Sequence, residues 1–538
     1  MLKRRPFLIR ARLALAFGAS FALGVGSLAE PAAAAGKTVP QSGRVDQNLE
    51  IKTTADPAAK VRVIITRDHH SNGKDVRDQG GKVISTLDLG NSTVAEVPSS
   101  RVQELANQPG VVRITYDAPV YVQAFQDPLD RLNLQSVYPL AVDAASQWNS
   151  NLRLRGTGIG VAVIDSGVRQ SLPDFLGASL SGPGRVLELL SRLTGGPLSG
   201  QDDNGHGTFV AGIIAGRGWG SPGRNEQGQY VGIAPGANLV SIKVSDSTGM
   251  AHISDVIQAI EWATEHRKQY NLRVLNLSLA STISSSYMTD MLDAAVELAW
   301  LKGLVVVVAN GNGGPNAPIT SPANDPFVIS VGATDDLGTA STADDRLAGF
   351  SSYGLTVDRI AKPDLVAPGR HIVSALSSRT DPLGLQFPQR IVSDAYISLS
   401  GTSASAPVVS GVVAQILQAR PDLTPGQVKW LLTHTALAVA GNGTGAGYPR
   451  VGDAVRFSGP IGSSNTRLRP NLYLLLAYAS QKGLVPSGHS AVSWDNVSWD
   501  NVSWDNVSWD NVSWDNVSWN SVSWNSVSWN SVAWSPAD

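Results

Sequence analysis

Apolar positions along this chain fall into runs of three different kinds. Between residues 60 and 120 they form short stretches split by polar ones: Val61–Thr66 (VRVIIT), Lys82–Leu87 (KVISTL), Thr93–Val97 (TVAEV) and Val111–Tyr116 (VVRITY). These read as strands. The turn Leu89-Gly90-Asn91-Ser92 separates the second from the third. Pro98-Ser99-Ser100 predicts a helix start over Arg101–Asn107, with Gln103 as capping-box partner of Ser100 and Gly110 as the stop. With a helix in the polar stretch after residue 67, the order is βαββαβ, a small α+β unit. Beyond residue 150 the runs change character. Ile159–Ile164 (IGVAVI) and Leu304–Val308 (LVVVV) are continuously apolar, as parallel strands buried on both faces are. Two runs of small and apolar residues, FVAGIIAG from Phe209 and VVSGVVAQIL from Val408, read as tightly packed helices.

The two ends follow other rules. Lys3, Arg4, Arg5, Arg10 and Arg12 precede an apolar run from Leu13 to Leu28, and Ala32–Ala35 offer an A-x-A cleavage site. This is the layout of an export signal; an uncleaved membrane anchor is the alternative. Arg4-Arg5-Pro6-Phe7-Leu8 resembles the twin-arginine motif with Lys3 in place of Ser or Thr, so the export route stays open. From Val492 the chain repeats VSWDN five times and VSWNS three times, then closes with VAWSP. Nine of the 14 tryptophans lie there, and no Lys or Arg follows Lys482. A period of five matches neither a strand nor a helix. Extended, such a ribbon carries Val and Trp on both faces. It is either a poorly ordered tail or an adhesive module that associates with itself or with a surface.

Composition narrows the function classes. The chain has 538 residues, 42% hydrophobic and 16% charged, with a formal net charge of −2. That supports a large core and speaks against a nucleic-acid partner. With no cysteines, disulfides, thiolate metal sites and a cysteine nucleophile are excluded.

Three stretches carry the chemistry. VAVIDSGV puts Asp165 at the carboxyl end of a buried strand, where α/β sheets bind ligands. NGHGTFVAGIIAG puts His206 between two glycines at a helix start. LSGTSASAPVVSG puts Ser403 at another helix start, whose free N–H groups suit a developing oxyanion. The order is Asp, His, Ser, with 41 residues separating Asp165 from His206 and 197 separating His206 from Ser403. In these motifs, over about residues 130 to 457, the sequence resembles the subtilisin family of serine proteases (subtilases).

The resemblance implies a three-layer subtilisin-like α/β domain with a mainly parallel sheet. Before it would lie a ferredoxin-like α+β propeptide that assists folding and plugs the site, and after it the repetitive tail. The implied division is 1–35 export signal, 36–125 inhibitory propeptide, 126–458 catalytic domain, 459–491 linker and 492–535 Trp-rich repeats. It implies Ser403 as nucleophile, His206 as general base and Asp165 as the orienting carboxylate. Asn312 in Gly311-Asn312-Gly313 would be the second oxyanion donor beside the Ser403 N–H, with Asn310 the competing asparagine. Gly249-Met250-Ala251 would form an edge strand pairing with extended substrate. Ser278-Leu279-Ala280 and Ala309-Asn310-Gly311 would form the walls of the side-chain pocket, which Asn310 would make shallower or more polar.

No cofactor is required for that chemistry. A structural calcium is common in the family, and Asp174 matches one ligand position or caps a helix; the remaining ligands are not identifiable. The expected function is that of a secreted serine endopeptidase, extracellular or in the cell envelope, made as a self-processed zymogen. Its partners would be protein or peptide substrates and its own propeptide. The alternative is a surface-adhesive binding protein whose protease domain serves self-processing.

Overall fold

The computed structural model describes residues 44–122, 136–176, 184–192, 200–220, 228–466, 468–471 and 474–475. The expected export signal, the residues around the expected propeptide end at 125, and the repeats 492–535 lie outside the described residues.

The N-terminal unit runs α1 (Gln47–Ala55), β1 (Lys60–Arg67), α2 (Lys74–Asp78), β2 (Lys82–Leu87), β3 (Ser92–Pro98), α3 (Val102–Ala106) and β4 (Val111–Tyr116). Its antiparallel sheet has the order β2-β3-β1-β4, the ferredoxin-like arrangement of a βαββαβ chain. Val63 lies opposite Ala95 in β3 and opposite Tyr116 in β4. Two features differ from the expectation. Helix α1 is extra, and is set by Asp46, which accepts from Asn48 N at 3.1 Å and Tyr116 N at 3.2 Å. The Ser100–Gln103 capping box does not form. A 3₁₀ turn over Ser99–Arg101 leads into α3 instead, and its backbone bonds take the place of a side-chain cap.

The strand β5 (Pro119–Val122) leaves this unit, and two short helices, α4 (Tyr138–Ala141) and α5 (Ala144–Trp148), open the large domain. Its eight-stranded sheet follows the order β14-β13-β12-β10-β6-β8-β7, with β17 on β13. The strands are β6 (Gly160–Asp165), β7 (Val186–Ser191), β8 (Asn238–Lys243), β10 (Leu272–Leu277), β12 (Val305–Ala309), β13 (Ile329–Asp335), β14 (Arg346–Leu347) and β17 (Leu365–Pro368). All pair in parallel except β14. Every residue of β6 and β12 is buried, because helices cover both faces. Helix α6 (His206–Ala215) packs on α10 (Thr402–Ala419), and α7 (Ile253–Glu265) packs on α8 (Met291–Leu301). Asp290 caps α8 through Leu292 N and Asp293 N.

The described part of 459–475 is packed onto this domain rather than trailing from it. Asn471 donates its N–H to Glu297 Oε2 at 2.6 Å and its amide to the carbonyls of Tyr287 and Asp290. Leu474 is buried. Among the described residues no helix is long and apolar enough to cross a membrane.

Candidate active site

Strand β6 delivers Asp165 to the carboxyl edge of the sheet, fully buried. Its Oδ1 accepts from Ser166 N at 2.8 Å and lies 2.8 Å from His206 Nδ1. A carboxylate oxygen only accepts, so Nδ1 carries the proton and Nε2 is left as the basic nitrogen. Nε2 is buried with no hydrogen-bond partner among the described residues.

The backbone around His206 is shaped by Gly205, at φ 106°, and by Gly207, where a Cβ would come within 2.1 Å of the Gly167 carbonyl oxygen. Asp202 ties this turn together, a role the sequence reading missed. Its Oδ1 accepts from Ser166 Oγ at 2.9 Å, Asn204 N at 3.1 Å and Gly205 N at 2.7 Å; its Oδ2 accepts from Thr208 N and Oγ1. Burial raises the Asp202 pKa against these bonds. The only local signal was its place four residues before the histidine.

Ser403 is the second residue of α10 and is buried. A polar chain fixes the helix start to β10: Ser410 Oγ donates to Asn276 Oδ1, Asn276 Nδ2 to Ser278 Oγ, and Ser278 Oγ to the Ser403 carbonyl at 3.0 Å. Asn312 is oriented by Thr402, which donates its N–H at 2.8 Å and its hydroxyl at 2.9 Å to Asn312 Oδ1. The amide oxygen is thus committed to the helix start, and the donor NH₂ end is turned away from Thr402.

Asn310, expected in the pocket wall, also makes a contact that the sequence did not announce. It is buried, and its amide donates to the Ser352 carbonyl at 2.7 Å, which makes it a brace to the segment around residue 352. Ala309 is buried in β12, and Gly311 N donates to Thr402 Oγ1 at 3.2 Å.

Five of the substrate-binding residues named from sequence, Gly249, Met250, Ala251, Leu279 and Ala280, border one strand. β5 lies antiparallel between β9 (Met250–His252) and β11 (Leu279–Ser281). Val120 faces Ala251 and Ser281, Tyr121 faces Met250 and Ala280, and Val122 faces Leu279. Val120 is fully buried while Tyr121 is 42% exposed. An extended segment here is held by main-chain bonds on both sides, with side-chain selection at alternate positions.

Asp174, which matches a calcium-ligand position of the family, is already engaged by protein donors. Its Oδ1 accepts N–H bonds from Trp219 and Gly220 and a hydroxyl bond from Tyr396. Burial raises its pKa. No group of three His, Cys, Asp or Glu side chains suited to a metal occurs among the described residues.

Residues 156–456 match the family model Peptidase S8, the subtilase family. The serine protease AprX of Bacillus subtilis (strain 168) is 40% identical over 285 residues, 52% of this chain and 61% of AprX. Subtilisin NAT of Bacillus subtilis subsp. natto is 31% identical over 369 residues, 68% of this chain and 80% of that protein. Among solved structures, fervidolysin from Fervidobacterium pennivorans, a keratinolytic enzyme related to subtilisin, superposes with a TM-score of 0.56. It is 26% identical, over 75% of this chain and 62% of that one. The chain thus spans about three-fifths of AprX and of fervidolysin.

Proposed function

The chain belongs to the subtilase family of serine peptidases, and on that footing we propose that it is a secreted endopeptidase made as a zymogen that cleaves its own N-terminal unit. The observation that carries this reading is β5. It lies as a third strand between β9 and β11, the position an extended peptide substrate would take.

Ser403 attacks the scissile carbonyl, forming the Oγ–C bond as His206 Nε2 takes the hydroxyl proton. The Asp165 carboxylate, 2.8 Å from Nδ1, keeps the tautomer and offsets the charge of the imidazolium. The tetrahedral oxyanion is met by the Ser403 N–H at the start of α10 and by the amide of Asn312. Collapse breaks the peptide C–N bond, with His206 returning its proton to the leaving amine. Water then releases the acyl group by the same steps in reverse. The residues 44–122 are the inhibitory propeptide, and the tryptophan repeats an association module for surfaces or for other copies of the chain. Truncation after Pro486, followed by light scattering and pull-down on chitin, cellulose and cell envelopes, tests the second of these roles.

The main test is Ser403→Ala. The variant should accumulate with its N-terminal unit attached and without peptidase activity, whereas N-terminal sequencing of the wild type should find a new terminus after Val122. A Ser403→Ala protein that still processes itself refutes the assignment.

A further inference from the structure

Asp174 sits where the family resemblance points to calcium, yet a cation of a different kind already lies beside it. Arg185, just ahead of β7, is buried at 6% exposure. Its own backbone is pinned on both sides, by its N–H to the Phe175 carbonyl at 2.9 Å and by Leu239 N to its carbonyl at 2.8 Å. The guanidinium then turns inward onto four backbone carbonyls. Nη1 donates to Ala237 at 2.7 Å, Nη2 to Asp174 at 2.9 Å and Ala215 at 2.6 Å, and Nε to Leu176 at 3.3 Å. Ala215 is the last residue of α6, so its carbonyl adds the negative end of a helix.

Inward-turned carbonyls beside a buried carboxylate are a donor set that a hard cation would seek. We infer that the Arg185 guanidinium is the built-in structural cation of this site, that calcium is therefore not required there, and that removing the side chain leaves a binding site for a small guanidinium-class cation.

Three observations carry this. The four carbonyls are committed to N–H donors in a planar fork, whereas calcium needs about 6–8 oxygens converging on one point. Oδ1 of Asp174 is likewise engaged by the N–H groups of Trp219 and Gly220 and the Tyr396 hydroxyl. The site is already rich in positive charge. Burial, with Arg217 adding repulsion and Asp174 opposing it, pushes the Arg185 pKa down to about 10. The group stays protonated at neutral pH, and a divalent ion placed against it would be repelled. A guanidinium is also more weakly hydrated than an ammonium or a divalent ion, and so less costly to bury.

The test uses the full chain in the Ser403→Ala background, which removes self-digestion. Any change in its Tm between excess EDTA and excess calcium should be the same in Asp174→Asn, because no calcium is held at this site. Arg185→Ala should lose about 5–10 °C, Arg185→Lys less, and methylguanidinium at millimolar concentration should restore part of the Arg185→Ala loss where urea does not. A calcium ion bound by the parent protein and lost in Asp174→Asn would overturn the inference. So would an Arg185→Met protein as stable as the parent, and failure of methylguanidinium to rescue would overturn the ligand assignment. If Arg185→Ala does not fold, the calcium measurement on the parent and on Asp174→Asn still decides the matter. Calcium bound equally by both of these leaves Arg185 as the cation of this site.

Discussion

The N–H of Val122 donates to the carbonyl of Gly249 at 3.1 Å. That bond extends the pairing of β5 with β9 by one residue and ties the strand that follows the N-terminal unit to the large domain. The strand alternation then decides which positions are read. Val120 is buried among apolar residues and Tyr121 faces outward. Short peptides copying Pro119–Val122 should therefore be cleaved best with an aliphatic side chain at the Val120 position. Alanine there should lower kcat/KM by roughly tenfold, from the lost burial of two methyl groups, and a substitution at the Tyr121 position should matter far less. Equal rates across the Val120 series would show that this strand does not mimic substrate.

The same interface carries a pH-sensitive contact. Glu261 in α7 accepts from Leu89 N at 2.7 Å. Burial, reinforced by nearby Asp88, pushes its carboxyl up to about 7. A carboxyl uncovered by departure of the N-terminal unit returns toward about 4.3. The covered state thus binds the extra proton, so acid favours covering, and raising the pH from about 4.5 to 7 favours release, by at most about tenfold per pH unit. After cleavage, dissociation of the N-terminal unit followed by gel filtration should accelerate across that window. The ratio of wild type to Glu261→Gln should carry the dependence; a ratio flat in pH would remove Glu261 from the process.

Two asparagines two residues apart should separate cleanly in kinetics. Asn312→Ala should reduce kcat with little change in KM, by the roughly 10²–10³-fold seen when the corresponding donor is removed from a subtilisin. Asn310→Ala should leave kcat largely in place and lower Tm, because it frees the Ser352 carbonyl from its 2.7 Å bond. The opposite pattern would exchange the two roles.

What was legible in the sequence was local or carried by motif. The strands Lys82–Leu87 and Val111–Tyr116 have the expected ends, because turn residues bound them. Asp165 and His206 were named together from three motifs, and they lie 2.8 Å apart. What was not legible depends on groups far apart in sequence. Nothing in PVYV announces that it pairs with Met250–His252 and Leu279–Ser281, since any short extended run would read alike. The Arg185 fork draws carbonyls from three separate segments, and backbone carbonyls leave no trace in side-chain patterns. The failed capping box at Ser100 shows the limit even of local rules, since a 3₁₀ turn takes Ser99–Arg101 and Val102 N donates to the Ser99 carbonyl instead.

The buried charge lattice under β17 gives a stability prediction. Lys362 and Lys429 each place their ammonium 2.9 Å from an Asp364 oxygen, and both lysine side chains are almost wholly buried. Burial alone would raise the Asp364 pKa, but the two lysines outweigh it and hold it at about 2. A folded-state value below the unfolded one contributes stability above about pH 4, which is lost as the pH falls toward 2. Removing the charge removes it at every pH and also strands two buried cations. Asp364→Asn should therefore cost about 3–5 kcal/mol in denaturant unfolding at neutral pH and flatten the acid limb between pH 4 and 2. Adding Lys429→Met should recover part of the loss, because one uncompensated ammonium then leaves the interior. An Asp364→Asn protein as stable as the parent at pH 7 would mean that the lysines find other partners or give up their protons at little cost.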